Sequence, residues 1–321
     1  MDKKRFIVID SNAVIHRAYH ALPPLTNKKG ELINAIYGFL SFFLKTIKDF
    51  QPNYIAAAFD SPGPTFRHSE YKEYKATREK APDELLTQIP KLKEILKIFG
   101  VQVFEKKGLE ADDVIGIVSA GIPKNIEVII LTGDMDIVQL VKENIKVYSL
   151  KRGVKEGVLY DEEKVKEKYG GLSPSQVIDF KALRGDPSDN IPGVPGIGEK
   201  TAIELLKKFG SIENLYNKLK KNPENLEIKE SLKEKLLTFK NQAFLSKKLA
   251  RIKKKDSINF SLENCCWGLD KLDKILEVLK KHGFKSLVSR VSKLVKERYT
   301  EEKGDKKENQ KEKTKENLRL C

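Results

Sequence analysis

The first half of this chain predicts an α/β fold in which a mainly parallel central sheet is covered by helices. Short apolar runs rich in β-branched residues alternate with longer stretches that carry apolar residues at helical spacing, which is typical of βαβ units. Acidic residues also follow directly after three apolar runs, in RFIVID, YIAAAFD and VIILTGD. Acidic side chains are expected in such positions where parallel strands end at one ligand-binding edge of a sheet.

The same alternation predicts the individual elements in chain order. Strands are predicted at Arg5–Ile9, Tyr54–Phe59, Val101–Phe104, Glu127–Leu131 and Ile145–Tyr148, and helices at Ala35–Phe50, Asp83–Phe99, Ala111–Ala120 and Asp136–Val141. From about residue 160 the pattern is helical only and rich in lysine, and after Leu294 the chain is charged and poor in apolar residues. We therefore expect a metal-binding domain over 1–160, a helical DNA-binding region over 161–295 and a disordered tail or linker over 296–321.

Composition favours an intracellular protein with a polyanionic partner. The chain has 61 Lys and Arg against 46 Asp and Glu, a formal net charge of +15, although a lysine-rich proteome would give a similar excess. Three cysteines, Cys265, Cys266 and Cys321, do not make a disulfide framework. No apolar stretch is long enough for a signal peptide or a membrane span. We expect a cytoplasmic, nucleoid-associated protein without membrane contact.

Nine carboxylates lie at the ends of apolar runs or within the acidic motifs GLEADDVIG and LRGDPSDNIPG. They are Asp10, Asp60, Glu110, Asp112, Asp113, Asp134, Asp136, Asp186 and Asp189. Like charges held together repel unless cations share the site, and Mg²⁺ prefers oxygen ligands. Because nine exceed the needs of one ion, they suit two or more ions about 4 Å apart at a phosphodiester.

Two other interpretations of these acids stay open. Each acid taken singly is more simply a helix cap or a loop residue. The strand followed by DMDIV also resembles the aspartyl-nucleophile loop of haloacid-dehalogenase-type phosphatases, but that interpretation leaves the other seven acids and the basic half unexplained.

The run NIPGVPGIGEKTAIELLKKFG is typical of a helix–hairpin–helix, at about 183–209. Gly193, Gly196 and Gly198 permit a tight turn, and Lys200 and Thr201 open the next helix. Backbone N–H groups at such a turn bind phosphate without reading sequence, and its carbonyls could hold K⁺. A plain turn between two helices is the alternative.

The segment SPGPTFRHSEYKEYKATREK predicts an exposed insertion whose order depends on a ligand. It interleaves cations with aromatic rings, a combination that suits single-stranded nucleic acid. The residues concerned are Phe66, Arg67, Tyr71, Lys72, Tyr74, Lys75 and Arg78. A solvated amphipathic helix would show the same pattern. His16 and His20 lack a third ligand and are expected to be structural or to face the substrate.

The succession FDSPGPTFRHSEYKEYKATR, GLEADDVIG, LTGDMDIVQL and ALRGDPSDNIPGVPGIGEKTA resembles the bacterial 5′-nuclease family, in order, from about Phe6 to Ser292. This family comprises the 5′–3′ exonuclease domain of DNA polymerase I and its free-standing relatives, kin to flap endonucleases. The resemblance implies a monomer with a PIN-like domain, a helical arch at about 61–88 and a helix–hairpin–helix (helix-three-turn-helix) region. It further implies two-metal hydrolysis, dependent on Mg²⁺ or Mn²⁺, of DNA with 5′ flaps, nicks or RNA primers, in primer removal and repair.

The resemblance also implies roles for single residues. By motif, Asp10, Asp60, Glu110, Asp112 and Asp113 match a first metal group, and Asp134, Asp136, Asp186 and Asp189 match a second. Lys75 and Arg78 match basic arch positions that steer the scissile phosphate, which makes them catalytic candidates.

Two departures from the family pattern bear on function. Relatives commonly read TGDKD, whereas Met135 stands here in place of the lysine, so a cation beside the metals is lost and the rate or ion dependence is expected to differ. No polymerase portion follows, so the chain is a free-standing nuclease or a fragment with a linker near Lys296, and a polymerase is a partner in cis or in trans. A PIN-like ribonuclease for single-stranded RNA and an inactive flap-binding module remain alternatives.

Overall fold

The computed structural model describes residues 3–150, 157–221, 224, 226–268 and 271–296. The tail predicted over 296–321 lies outside the described residues, except for Lys296. No helix in these ranges has the length and apolar character needed to cross a bilayer.

Six strands form one sheet, and the predicted mainly parallel architecture is confirmed. The strands are β1 (Arg5–Asp10), β2 (Tyr54–Ala58), β3 (Gln102–Phe104), β4 (Glu127–Thr132), β5 (Ile145–Leu150) and β6 (Gly157–Tyr160). Their order across the sheet is β3–β2–β1–β4–β5–β6, and every neighbouring pair is parallel except β5 with β6. The antiparallel β6 was not predicted, because its four half-exposed residues show no apolar alternation.

Both faces of the sheet are buried, which is why its strands are continuously apolar. In β1, Ile7 and Ile9 face one hydrophobic core while Phe6 and Val8 face the other. Helices α1 (Ser11–Ala21), α2 (Asn34–Phe50) and α5 (Gln88–Ile98) cover the first face, and α6 (Ala111–Ala120) covers the second.

The segment predicted as a helical arch contains only two short helices, α3 (Phe66–Glu70) and α4 (Asp83–Leu86). The residues between them form turns and irregular backbone. The helix predicted over Asp83–Phe99 is therefore split into α4 and α5, and the helix predicted over Asp136–Val141 is a 3₁₀ helix, Asp136–Leu140.

The helix-only part of the chain builds a core of its own. Its helices are α7 (Glu162–Lys168), α8 (Val177–Arg184), α9 (Glu199–Phe209), α10 (Ile212–Lys221), α11 (Glu230–Thr238) and α12 (Lys240–Ala250). Leu183, Leu206, Leu215 and Leu236 meet in that core together with Val194 of the hairpin. We call α8 to α12 with this hairpin the helical unit.

After α12 the chain returns to the sheet. Ile252 packs on the α6 face, where Gly116 leaves room for the Lys253 carbonyl; a Cβ at Gly116 would lie 2.3 Å from that oxygen. Helix α13 (Lys271–Lys281) and the helical residues 285–296 pack on the α2 and α5 face through Ile275 and Leu287. Residues predicted to extend the DNA-binding region thus complete the two sheet cores.

Candidate metal centre and nucleic-acid interface

Three of the predicted acids meet at the carboxyl edge of the sheet. Asp10 is the last residue of β1, Asp60 follows β2 and Asp134 follows β4. Asp10 caps α1 by accepting from the Ala13 N–H at 3.0 Å, and its other oxygen accepts from Thr132 Oγ1 at 2.6 Å. Burial raises the pKa of Asp10 to about 7. The two hydrogen-bond donors are neutral, and the nearby charges of Asp60 and Asp134 raise the pKa further.

The start of α6 brings two more acids to the same edge. Glu110 is the N-cap of α6, and the Ala111 N–H donates to Asp60 at 2.7 Å, which joins the motif to the end of β2. Burial, reinforced by the charges of Asp134 and Asp10, raises the pKa of Asp112 well above its usual value. This mutual repulsion is the electrostatic signature of a group that suits a bound cation.

A second group lies beside the first. One carboxylate oxygen from each of Asp136, Asp186 and Asp189 falls within 4.8 Å of the others, close enough to share one ion. Asp134 accepts from the Asp136 N–H at 2.9 Å, and its charge also raises the pKa of Asp10 and Asp112. Asp134 therefore lies between the two groups.

Asp113, predicted as a metal ligand, has a different set of partners. It is fully buried and accepts two hydrogen bonds from the guanidinium of Arg67, at 2.6 and 3.0 Å, and one from the Lys253 N–H at 2.9 Å. Arg67 was predicted to contact DNA, but only 2% of it is exposed. The pair faces into the protein because α3 packs between α6 and the end of α12.

Three other residues of the insertion contact the acids: Tyr74, Lys75 and Arg78, of which the Arg78 side chain remains 47% exposed. The Tyr74 O–H is 3.1 Å from both Glu110 and Asp189, which bridges the two groups. Lys75 donates to Glu110 at 2.8 Å, and Arg78 forms an ion pair with Asp189. Tyr74 was predicted to contact DNA, yet it is 3% exposed, so its position is set by the carboxylates.

The remaining predicted contacts of the insertion are accessible. Lys72 is exposed, and the half-exposed Tyr71 donates its O–H to Glu73 at 2.9 Å. Nearby on α1, His20 packs edge-to-face against Tyr19, and burial lowers the pKa of His16.

Lys181 contacts the predicted acids, which the sequence did not reveal. Its ammonium group lies between the second-group acids, in an ion pair with Asp136 and 2.5 Å from Asp186. Burial works against ionisation of Asp186, but the charge and hydrogen bond of Lys181, together with two hydrogen bonds from Ser188, lower the pKa of that carboxyl. A cation of α8 thus lies beside the second group of acids. The only sequence signal for this contact was the position of Lys181, five residues before Asp186 on a helix of mixed polarity.

The hairpin divides into a buried and an exposed part. The Gly193 N–H, predicted to bind DNA, donates to Ser246 Oγ at 3.0 Å, and Gly193 is buried. Gly196, Gly198 and Lys200 are exposed, and Thr201 is half-exposed at the start of α9. The surface open to a phosphate is therefore the second half of the hairpin.

The donor set fits hard divalent cations. Among the described residues, Asp136, Asp186 and Asp189 are the acids whose oxygens all lie within 4.8 Å of one another, and no His or Cys joins them. Lys181 and Arg78 already bind some of these oxygens, so an entering ion competes with both cations.

Two family models match nearly the whole described chain. Residues 5–170 match the 5′–3′ exonuclease N-terminal resolvase-like domain. Residues 172–283 match the 5′–3′ exonuclease C-terminal SAM fold.

Curated relatives fall into two kinds. The chain is 38% identical over 292 residues to the 5′–3′ exonuclease of Aquifex aeolicus, covering 91% of this chain and 96% of the relative. It is 41% identical over 292 residues to DNA polymerase I of Bacillus subtilis, covering 90% of this chain but 32% of the polymerase. The chain thus spans about a third of the length of its polymerase relatives.

Solved structures share the fold at low identity. The bacteriophage T5 D15 flap endonuclease, a pseudo-enzyme–product complex with DNA and metal ions, gives a TM-score of 0.64 at 19% identity, covering 90% of this chain and all of that one. The catalytic core of Rad2 with DNA substrate gives 0.55 at 19% identity, covering 87% and 88%.

Proposed function

Since the chain belongs to the 5′–3′ exonuclease family, we propose that it is a structure-specific 5′ nuclease. Its substrates are DNA with 5′ flaps, nicks or RNA primers, met during primer removal and repair. The observation that carries the proposal is the convergence of eight carboxylates on one sheet edge, next to an exposed hairpin. Polymerase relatives suggest a polymerase partner, in cis or in trans, and a cytoplasmic, nucleoid-associated location.

Two sets of residues would hold the ions, Mg²⁺ or Mn²⁺. The first set is Asp10, Asp60, Glu110 and Asp112, and the second is Asp134, Asp136, Asp186 and Asp189. Such ions, when bound, activate water and stabilise the charge of the leaving oxygen. Both oxygens of Asp113 accept hydrogen bonds from Arg67, so Asp113 instead holds α6 in place.

The insertion and the hairpin position the DNA. Lys75 and Arg78 place positive charge beside the acids, where a phosphodiester entering the site would draw them from Glu110 and Asp189. Lys72 and Tyr71 offer a cation and a ring to the single strand. Gly196, Gly198, Lys200 and Thr201 grip duplex phosphates without reading sequence, and the hairpin carbonyls suit K⁺.

The test is cleavage of a 5′-flap duplex labelled at its 5′ end, with Mg²⁺ or with a chelator. We expect metal-dependent cutting near the flap junction, and no comparable cutting of single-stranded RNA of the same length. Absence of any metal-dependent cut would refute the nuclease and leave an inactive flap-binding module. Preferential cutting of RNA would favour the ribonuclease.

Two variants separate cutting from binding. Asp134→Ala is expected to abolish cutting but spare most DNA binding, because Asp134 lies between the metal groups. Lys200→Ala is expected to weaken binding at every sequence and to lower the slope of affinity against salt by about one. Equal loss of binding in both variants would contradict this division.

A further inference from the structure

The turn that carries Lys75 is bonded to the loop that carries Asp189, beside both groups of acids. We propose that Asn190 is a positioning residue, which fixes this turn and thereby sets the place of the Lys75 ammonium at the scissile phosphodiester. The inference rests on the proposed nuclease function, and it assigns a role to a residue outside the nine acids and the basic insertion.

Lys75 lies in a β-turn with an unusual backbone conformation. The Ala76 N–H donates to the Glu73 carbonyl at 3.0 Å, which closes the turn, and Lys75 is its third residue, with φ of 56°. A turn with positive φ at its third residue normally has Gly or Asn there, because a Cβ crowds the backbone in the left-handed region. A lysine keeps this conformation only where contacts outside the turn hold it.

Two contacts of the neighbouring loop hold the turn. The Asn190 side-chain amide donates to the Glu73 carbonyl at 2.7 Å, and the Asp189 carbonyl accepts from the Lys75 N–H at 2.9 Å. The Tyr74 hydroxyl, between them, is 3.1 Å from a carboxylate oxygen of Asp189. The stretch with the unfavourable conformation is therefore bonded at both ends to two consecutive residues.

The loop that carries Asn190 is itself fixed. Asp186 and Ile191 exchange two backbone hydrogen bonds of 2.8 Å, which close the loop at its base, and the Asn190 N–H donates to the Pro187 carbonyl at 3.3 Å. Asn190 has φ of 54°, in the left-handed region that asparagine tolerates better than most residues with a Cβ. Of the three described non-glycine residues with positive φ, two, Lys75 and Asn190, therefore lie at this contact.

This contact places the Lys75 ammonium between the two acid groups. Lys75 donates to Glu110 of the first group at 2.8 Å, while its own N–H is bonded to the backbone of Asp189 in the second. A phosphodiester that enters the site draws the ammonium from Glu110, but the contact through Asn190 involves no charged side chain and stays in place. The ammonium then reaches the phosphate from a fixed backbone position, and such positioning lowers the entropic part of a reaction barrier.

The first measurement follows Lys75 without any cutting. Lysines are acylated in chelator, in the absence of DNA, and peptide mass spectrometry compares Lys75 with the exposed Lys72 of the same segment. The variant is Asn190→Gly, which keeps the left-handed backbone and removes the amide donor. The matched control is Gln51→Gly, because Gln51 also has positive φ, of 45°, but lies between α2 and the amino end of β2, at the sheet edge opposite the acids.

The second measurement is the single-turnover rate of cutting of the labelled flap duplex, with Mg²⁺ and excess protein, alongside duplex affinity in chelator. We expect Asn190→Gly to raise the ratio of Lys75 to Lys72 labelling about fivefold, the equilibrium ratio that a hydrogen bond of about 1 kcal/mol gives. The cutting rate should fall about twofold to fivefold for the same reason, while duplex affinity stays unchanged. Gln51→Gly should change neither the labelling ratio nor the cutting rate.

Each outcome decides the role of Asn190. An unchanged labelling ratio in Asn190→Gly would overturn the proposal, whatever the cutting rate. A raised ratio with an unchanged cutting rate would also overturn it, because Asn190 would then hold the turn without positioning Lys75 for the reaction. Failure of the unmodified protein to cut would refute the nuclease function, and the labelling ratio would still decide whether Asn190 holds Lys75.

Discussion

At the scale of single residues, the fold buries the carboxyl of Asp10 where ionisation is unfavourable. The fold buries this carboxyl at the end of β1, and burial raises its pKa from about 4 in an unfolded chain to about 7. The folded protein therefore binds the proton more tightly, so the contribution of Asp10 to stability falls as the pH rises from about 4 to about 7.

Asp10→Asn is expected to remove this penalty. Without divalent ions, it should raise the free energy of unfolding by about 2 kcal/mol at pH 7.5 and change it little at pH 4. Denaturant unfolding at both pH values, in chelator, measures the difference. The control Asp273→Asn, at an exposed position on α13, should show no such pH dependence. A stability loss of equal size at both pH values would contradict the argument.

At this scale, sequence reasoning found the acids but not their partners. Short apolar runs followed by Asp predicted that Asp10, Asp60 and Asp134 would meet. The pairing of Arg67 with Asp113 and the place of Lys181 depend on contacts between separate elements, which spacing along the chain does not encode. Lys181, for which the sequence made no prediction, and Arg67, expected on DNA, are both buried.

At the scale of elements, the conformation of the hairpin requires a glycine at position 193 but not at position 198. Gly193 has φ of 64°, and a Cβ there would lie 2.3 Å from the Gly185 nitrogen. Gly198 has ordinary φ of −88°, and a Cβ there would meet nothing within 4 Å.

Gly193→Ala is therefore expected to lower stability by about 2 kcal/mol or more and to weaken duplex binding about tenfold. Gly198→Ala should leave the folded state intact. Thermal unfolding and titration with duplex DNA measure the two effects. Equal behaviour of the two variants would show that the conformation of Gly193 does not hold the hairpin.

The parallel strands and α6 were predictable because the spacing of apolar residues predicts each element and a neighbouring acid marks one of its ends. The insertion was not, since its turn-forming and charged residues favour no single element, and carboxylates on other elements decide where Tyr74 and Lys75 lie.

At the scale of the whole molecule, a chain of net charge +15 brings eight acids together at one edge of the sheet. The order of four motifs along the sequence predicted the family, and this prediction is confirmed. The partners of α13 were not predictable, because its apolar stripe shows that it is buried but not against which core.

Divalent ions should stabilise the native protein, because the assembled acids bind them and the unfolded chain does not. We expect Mg²⁺ at ten times its dissociation constant to add about 1.4 kcal/mol, or a few degrees in melting temperature. Melting with Mg²⁺, and with Na⁺ at equal ionic strength, measures this. Asp186→Asn should reduce the gain, and an equal gain from Na⁺ would point to general charge screening.

Because the chain returns to the sheet after α12, one of the two sheet cores can close only late in translation. The face formed by α2 and α5 stays uncovered until Ile275, Leu287 and their neighbours have left the ribosome. A nascent chain that already contains all nine acids must therefore wait for α13 and residues 285–296 before this core closes. On the proposed nuclease function, we therefore expect a chain that still lacks α13 and residues 285–296 to cut nucleic acid poorly.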